Sequence, residues 1–332
     1  MDAYIKAISY YLPEEIVSNE DLVKDYPQWD AEKVAKKTGI SERHISAKDE
    51  TAGDMAIKAA NILFTEYGVC ANDIDFVLLC TQSPDYHLPS TACLIQDKLG
   101  IPTSAGALDF DLGCSGYEYG LALAKGLIVG NMAKNILLLT AETYNKYIHP
   151  SDHGNRSIFG DGAAATLISI TGSYKIGEFV FGTNGKDFDK LIIRTGCARQ
   201  PNKVGKIGTD DGGYVNAPDY LYMDGSGIFN FTLETIPIMV RQLLEKSGLQ
   251  LDKIDEFIFH QANKFMLDTI RKICHFDKDK FYLDLEHTGN TVSSTVPIAL
   301  KDYIRNGGDA GTIMIAGFGV GLSWAGVIIE KE

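Results

Sequence analysis

Three stretches of the chain hold residues that could do acyl chemistry. The first is Asp109–Gly120, "DFDLGCSGYEYG", where Cys114 lies between Gly113 and the Ser115-Gly116 pair. A free cysteine often packs as a small buried hydrophobe, and that alone accounts for it. The other reading is a nucleophile at a helix start. There, unpaired N–H groups and the helix dipole lower a thiol's pKa, and the glycines permit a tight turn and close approach of a substrate. The order Gly-Cys-Ser-Gly is not the G-x-S-x-G elbow. The second stretch is "FIFHQANKFML", in which an apolar strand ends on His260. The carboxyl end of a strand is where α/β proteins build sites, although a structural histidine explains the same pattern. The third is "HTGNTVSST", with Asn290. Asparagine caps helices, and its amide can also donate to a developing oxyanion. Together Cys, His and Asn form a recurring acyl-transfer set. Papain-like proteases share that order, but their cysteine lies near the mature N-terminus in a C-G-S-C-W context, and neither feature is present.

The elements that would position these residues alternate. "DFVLLCT", "GALDFDL", "NILLLTAE", "IDEFIFHQ" and "GTIMIAGFGV" read as buried strands, and the segments between them have helical spacing. This predicts an α/β fold with largely parallel sheets. An echo runs through the chain. "GVCANDIDFVLLCTQ" from Gly68 and "GLQLDKIDEFIFHQA" from Gly248 share a glycine, a spacer, Ile-Asp and an apolar strand. Each then runs through a helix, a strand and a turn into another helix, and those turns hold Cys114 and Asn290. Duplication predicts a pseudo-twofold relation with both residues facing a shared centre. The expected division is 1–172 for the first half, 173–225 for a connecting excursion and 226–332 for the second half. The Gly- and Asp-rich excursion is long enough to be a lid or binding wall.

Composition narrows the class. Of 332 residues 45% are apolar, which predicts a large core rather than disorder, and a net charge of −13 argues against nucleic-acid binding. No window supplies the roughly 18 uncharged apolar residues of a membrane span. The six cysteines show no CxxC spacing, which fits reduced thiols and a cytoplasmic protein. "HPSDH" offers two histidines but no third ligand, so no metal is expected.

The motifs "GCSG", "HQAN" and "GNTVSSTVPIAL", with "TGISERHI", "FGDGAAA" and "GFGVGLSW", resemble the β-ketoacyl-acyl-carrier-protein synthase III family of the thiolase superfamily. The resemblance spans essentially the whole chain. It implies a thiolase-like α/β fold, two duplicated halves packed in five layers (αβαβα), as a homodimer. It implies an acyltransferase that joins a Cys-bound acyl group to malonyl-acyl carrier protein by decarboxylative Claisen condensation, giving a 3-oxoacyl thioester. No cofactor is implied beyond coenzyme A or acyl-carrier-protein thioesters as substrates. Cys114 falls on the acylated nucleophile, and His260 and Asn290 on the pair that binds malonyl. The N–H groups of Cys114 and Val320 fall on the oxyanion hole, with Phe318 and Gly319 beside it. "GFGVG" is not a dinucleotide loop, because Leu322 stands where a third glycine is needed. Leu88 matches a position that closes the acyl pocket from the partner subunit. Lys264, with Arg271 and Lys272, and Lys37, with Lys33 and Lys36, are candidate contacts for an acidic carrier protein.

Two departures bear on the acyl donor. Housekeeping members carry Trp where Lys33 stands and Arg where His153 stands, and that pair sandwiches the coenzyme A adenine. Phe265 replaces an Arg used in carrier docking. The clamp is therefore expected to lack both its aromatic plane and its guanidinium. A specialised acyltransferase of secondary metabolism or surface polysaccharide synthesis, with a non-acetyl donor, is the alternative.

Overall fold

A computed structural model describes residues 1–209 and 215–332; residues 210–214, inside the expected excursion, lie outside the described residues. Nine strands form one mixed sheet. In chain order they are β1 (Tyr4–Tyr11), β2 (Phe76–Cys80), β3 (Gly106–Phe110), β4 (Asn135–Glu142), β5 (Gly162–Ser169), β6 (Tyr174–Thr183), β7 (Glu256–Phe259), β8 (Thr312–Gly319) and β9 (Ser323–Lys331). Their order across the sheet is β7-β8-β9-β6-β1-β5-β4-β2-β3. The helices are α1 (Asn19–Asp25), α2 (Ala31–Thr38), α3 (Ala52–Tyr67), α4 (Thr91–Lys98), α5 (Gly116–Val129), α6 (His153–Arg156), α7 (Gly225–Ser247), α8 (Lys264–Ile273) and α9 (Thr295–Arg305).

The sheet is two half-sheets joined at a narrow seam, where Tyr4 and Ile5 of β1 pair with Lys175 and Tyr174 of β6. Helices α5 and α9 pack against strands of both half-sheets, α3 and α4 cover the first, and α7 and α8 cover the second. That gives the five expected layers. Strands β2 and β7 are short, largely apolar and buried, "FVLLC" and "EFIF", because helices cover the sheet faces.

The echo is physical. Gly68 and Gly248 end α3 and α7 in the left-handed region, at φ 63° and 70°, which glycine adopts without a Cβ penalty. A single 3₁₀ turn follows each, Ala71–Asp73 and Leu251–Lys253. Then a strand enters parallel to its neighbour, β2 beside β4 and β7 beside β8. The aspartate of each Ile-Asp pair locks that entry. Asp75 Oδ2 accepts from Lys134 and Asn135 N–H at 2.8 and 2.9 Å, and Asp255 Oδ2 accepts from Thr312 N–H at 2.9 Å. The copies differ at the third strand. β3 is a full strand in the first half, whereas the second half keeps only a bridge between Phe257 and Phe281.

The excursion carries two short strand pairs, Leu191–Ile192 with Tyr222–Met223 and Gly208–Thr209 with Val215–Asn216.

Candidate active site

Cys114 lies on the turn from β3 into α5 and is 6% exposed. The turn is tight, with Gly116 N–H donating to Gly113 O at 2.8 Å. Strand β8 ends against it. A Cβ on Gly319 would stand 2.7 Å from Cys114 Sγ, so the missing side chain is what gives the sulfur its place. The backbone N–H groups of Val320 and of Cys114 itself favour the charged form of the sulfur. Even so, burial pushes the Cys114 thiol up to about 12, and the charges of Glu142 and Glu118 add to that rise. The helix start therefore does not yield a resting thiolate, as the sequence pattern suggests. Desolvation of the charged form outweighs the N–H groups.

His260 follows β7, 2% exposed, and burial lowers its pKa to about 3, so the ring is neutral. Its Nδ1 lies 2.7 Å from the Thr295 hydroxyl at the start of α9. The Phe318 ring meets it edge-on, with centroids 5.7 Å apart, and forms a dry wall. Asn290 is 4% exposed. Its Oδ1 accepts from Val292 N–H at 2.9 Å, which leaves its NH₂ as the face to offer a ligand. Its backbone is pinned to the first half of the chain: Asn290 N–H donates to Ile158 O at 2.9 Å, and Gly160 N–H donates to Asn290 O at 3.0 Å. Asn290 is not a simple helix cap, since a 3₁₀ turn, Val292–Ser294, stands between it and α9.

Val292 draws the three residues together. Its N–H holds Asn290, its carbonyl accepts from the Thr295 hydroxyl at 3.0 Å, and its Cγ1 would lie 3.4 Å from a Cβ on Gly113, the residue before Cys114. Val292 adopts φ 56° to do so, a conformation uncommon for a β-branched residue.

A cavity of about 1150 Å³ lies beside this centre, and Cys114, His260 and Asn290 are not among the residues that line it. Ser157, Ile158 and Asn263 line it on the side toward the site, Val215, Tyr222 and Met223 of the excursion line another side, and Lys37 and Phe265 stand in its lining as well. The part of the excursion that lines the cavity is its C-terminal end. The expected loss of an aromatic plane is corrected here. Trp29, just before the α2 N-cap Asp30, lines the cavity, and its ring centroid is 5.6 Å from that of His153. Tyr26 stacks on His153 at 3.4 Å. A guanidinium is close by as well. Arg156 bonds to Tyr26 Oη at 2.7 Å and to Asp25 at 3.3 Å, which turns it toward α1. Position-by-position reading at Lys33 missed these groups because the aromatic rings precede α2 instead of lying within it.

Lys264 starts α8 and packs its stem on Gly39, next to the C-terminal end of α2. Arg271 does not share its open face. It is tied to Asp268 at 3.9 Å and to the Phe276 carbonyl at 3.4 Å. Lys33 pairs with Asp30 at 3.6 Å. Leu88 is 83% exposed and stands outside the Cys114 cluster within this chain. His149 packs against Tyr220, and among the described residues no group of three potential metal ligands gathers. Sequence reasoning missed Thr295, Tyr144 and Gln82. Only Thr295 carried a signal, lying in the quoted "GNTVSSTVPIAL".

Comparisons with known proteins identify the family. A family model described as 3-oxoacyl-[acyl-carrier-protein (ACP)] synthase III matches residues 108–185, and its C-terminal companion matches residues 244–331. A β-ketoacyl-[acyl-carrier-protein] synthase III of Clostridium perfringens is 35% identical over 325 residues, 96% of each chain. A crystal structure described as 3-oxoacyl-(acyl-carrier-protein) synthase III superposes with a TM-score of 0.97 at 47% identity, covering 99% of this chain and 100% of that one. The corresponding protein of Pseudomonas aeruginosa gives 0.87 at 28% identity, covering 100% and 98%. With the fold, the duplicated halves and the Cys-His-Asn centre in place, the chain belongs to the 3-oxoacyl-[acyl-carrier-protein] synthase III family.

Proposed function

We propose that Cys114, His260 and Asn290 carry out the decarboxylative condensation of this acyltransferase family, with the primer held on Cys114 and malonyl held by the other two. The observation that supports this most is the convergence at Val292, which orients Asn290, backs Thr295 and touches the Cys114 turn.

In the first stage Cys114 Sγ attacks the carbonyl carbon of a primer thioester. His260 takes the thiol proton, and the oxyanion forms against the Val320 and Cys114 N–H groups. The C–S bond to the donor breaks, and His260 returns the proton to the departing thiol. In the second stage malonyl loses CO₂, and its electron pair becomes an enolate whose oxygen is held by the His260 N–H and the Asn290 amide. The enolate carbon attacks the Cys114 thioester, and the released sulfur regains a proton from water. The Thr295 hydroxyl has one hydrogen: while it donates to the Val292 carbonyl it accepts from Nδ1–H, and turning that hydrogen to Nδ1 instead puts the ring's proton on Nε2, where the enolate needs a donor. The dry wall of Phe318 strengthens both hydrogen bonds to the enolate. This bond making needs no resident cofactor.

The carrier protein fits at the cavity mouth, where Lys36, Lys37 and Lys264 offer positive charge in an acidic chain. A homodimer fits the edge strand β3, which carries the exposed Leu108, with Tyr86 and Leu88 exposed on the loop that follows β2. Asp109 of β3 ties that loop down by accepting from the Thr91 and Ala92 N–H groups at 2.6 and 2.7 Å. The unpaired thiols fit the cytoplasm. The test is malonyl-acyl-carrier-protein decarboxylation alongside full condensation. Cys114→Gln should abolish condensation and keep decarboxylation. His260→Ala and Asn290→Ala should each lower decarboxylation by about 10²–10³. Decarboxylation unaffected in both would refute the assignment.

A further inference from the structure

The acyl group on Cys114 has to lie among the side chains that pack with it, and part of that surface is polar. Tyr144 belongs to the same buried cluster as Cys114, Leu191 and Leu221, is 4% exposed and packs against Phe159 with centroids 5.3 Å apart. Its hydroxyl donates to Gln82 Oε1 at 2.5 Å, and Gln82 Nε2 donates to Asp111 Oδ1 at 2.9 Å. Gln82 presses on the nucleophile's own turn, since a Cβ on Gly113 would lie 2.7 Å from Oε1. Burial raises the Tyr144 phenol well above its ordinary value, so the phenol keeps its proton. Gln82 is fixed in turn, because its backbone N–H donates to both oxygens of the buried Glu142 at 3.0 and 3.1 Å.

A pocket for plain alkyl chains is served best by alkyl walls, since each unmatched polar group it holds weakens apolar burial. Here the wall is a phenol and a carboxamide in a fixed relation. Their mutual bonds leave a lone pair on the phenol oxygen and the second hydrogen of Gln82 Nε2, besides a second lone pair on Gln82 Oε1. One hydroxyl on a substrate can donate to the first and accept from the second.

We propose that Tyr144 and Gln82 select the primer, and that it is a short acyl group bearing a hydroxyl, of the 3-hydroxybutyryl class. This rests on Cys114 being the acylated residue. The geometry argues against a saturated straight-chain primer of the same length as the preferred donor.

Single-turnover acylation of Cys114, followed by intact-protein mass spectrometry, tests this directly. The probes are butyryl and both enantiomers of 3-hydroxybutyryl, each presented on coenzyme A and on acyl carrier protein. In the wild-type enzyme one hydroxybutyryl enantiomer should label at least about tenfold faster than butyryl, the size of one matched hydrogen bond. Tyr144→Phe keeps the ring packing and removes the oxygen, and Gln82→Leu removes the amide. Each should bring that ratio down toward one. Because the readout is a ratio within one protein, a general loss of folding or reactivity lowers both arms and leaves it unchanged. Equal wild-type rates, or a preference that survives both substitutions, would overturn the inference and leave Cys114 as the nucleophile. Labelling by none of the probes would overturn both readings.

Discussion

Glu118 sits one helical turn after Cys114, fully buried, and neither of its carboxyl oxygens has a hydrogen-bond partner among the described residues. Burial therefore holds its pKa well above the ordinary carboxylate value. The folded protein keeps a proton that the unfolded chain releases above about pH 4.3. Stability at this site consequently falls as pH rises from there toward the folded-state pKa, by up to about 1.4 kcal/mol per unit. Glu118→Gln should remove that dependence. In urea unfolding the variant should gain on the wild type between pH 5 and pH 8, and parallel curves would contradict the neutral-acid assignment. Cys114, His260 and Asn290 were legible one by one because each stands beside a glycine or a strand end. Their protonation states were not. Whether a helix start or desolvation wins at a thiol depends on what covers it, and covering residues such as Phe318 and Val292 come from distant parts of the chain. Gln82 and Tyr144 were invisible for the same reason: common residue types, brought into contact by adjacent strand ends.

Among elements, the duplicated strand entry makes a quantitative claim. Asp75 and Asp255 do the same work in the two half-sheets and share no partner. Asp75→Ala and Asp255→Ala should each cost about 1 kcal/mol, and the double variant should show close to their sum in equilibrium unfolding. A large departure from additivity would mean that the half-sheets sense each other through the seam at β1 and β6. The echo was readable because Gly and Ile-Asp recur at fixed places around an apolar run. The seam was not, since the Tyr4–Ile5 pairing with Tyr174–Lys175 carries no pattern of its own. The reduction of β3's counterpart to the single bridge at Phe281 was equally silent in the sequence.

At the scale of the whole molecule, a net charge of −13 has to be overcome locally for an acidic carrier to dock. Lys37 lines the cavity and Lys264 lies next to the end of α2, so Lys37→Glu with Lys264→Glu should raise the KM for malonyl-acyl carrier protein several-fold. The kcat should change little, and the effect should shrink as salt increases. Arg271→Glu should do less, because Asp268 and Phe276 already hold that side chain. The mouth also reaches inward. Ser157 and Ile158 line the cavity, and the same segment grips the backbone of Asn290 on both sides. On the roles proposed above, a thioester's long arm lying against that segment would push on the peptide that carries the Asn290 amide, making the arm a lever as well as a tether. Malonyl on a truncated arm should then turn over more slowly even at saturation, a loss in kcat that weaker binding alone does not produce.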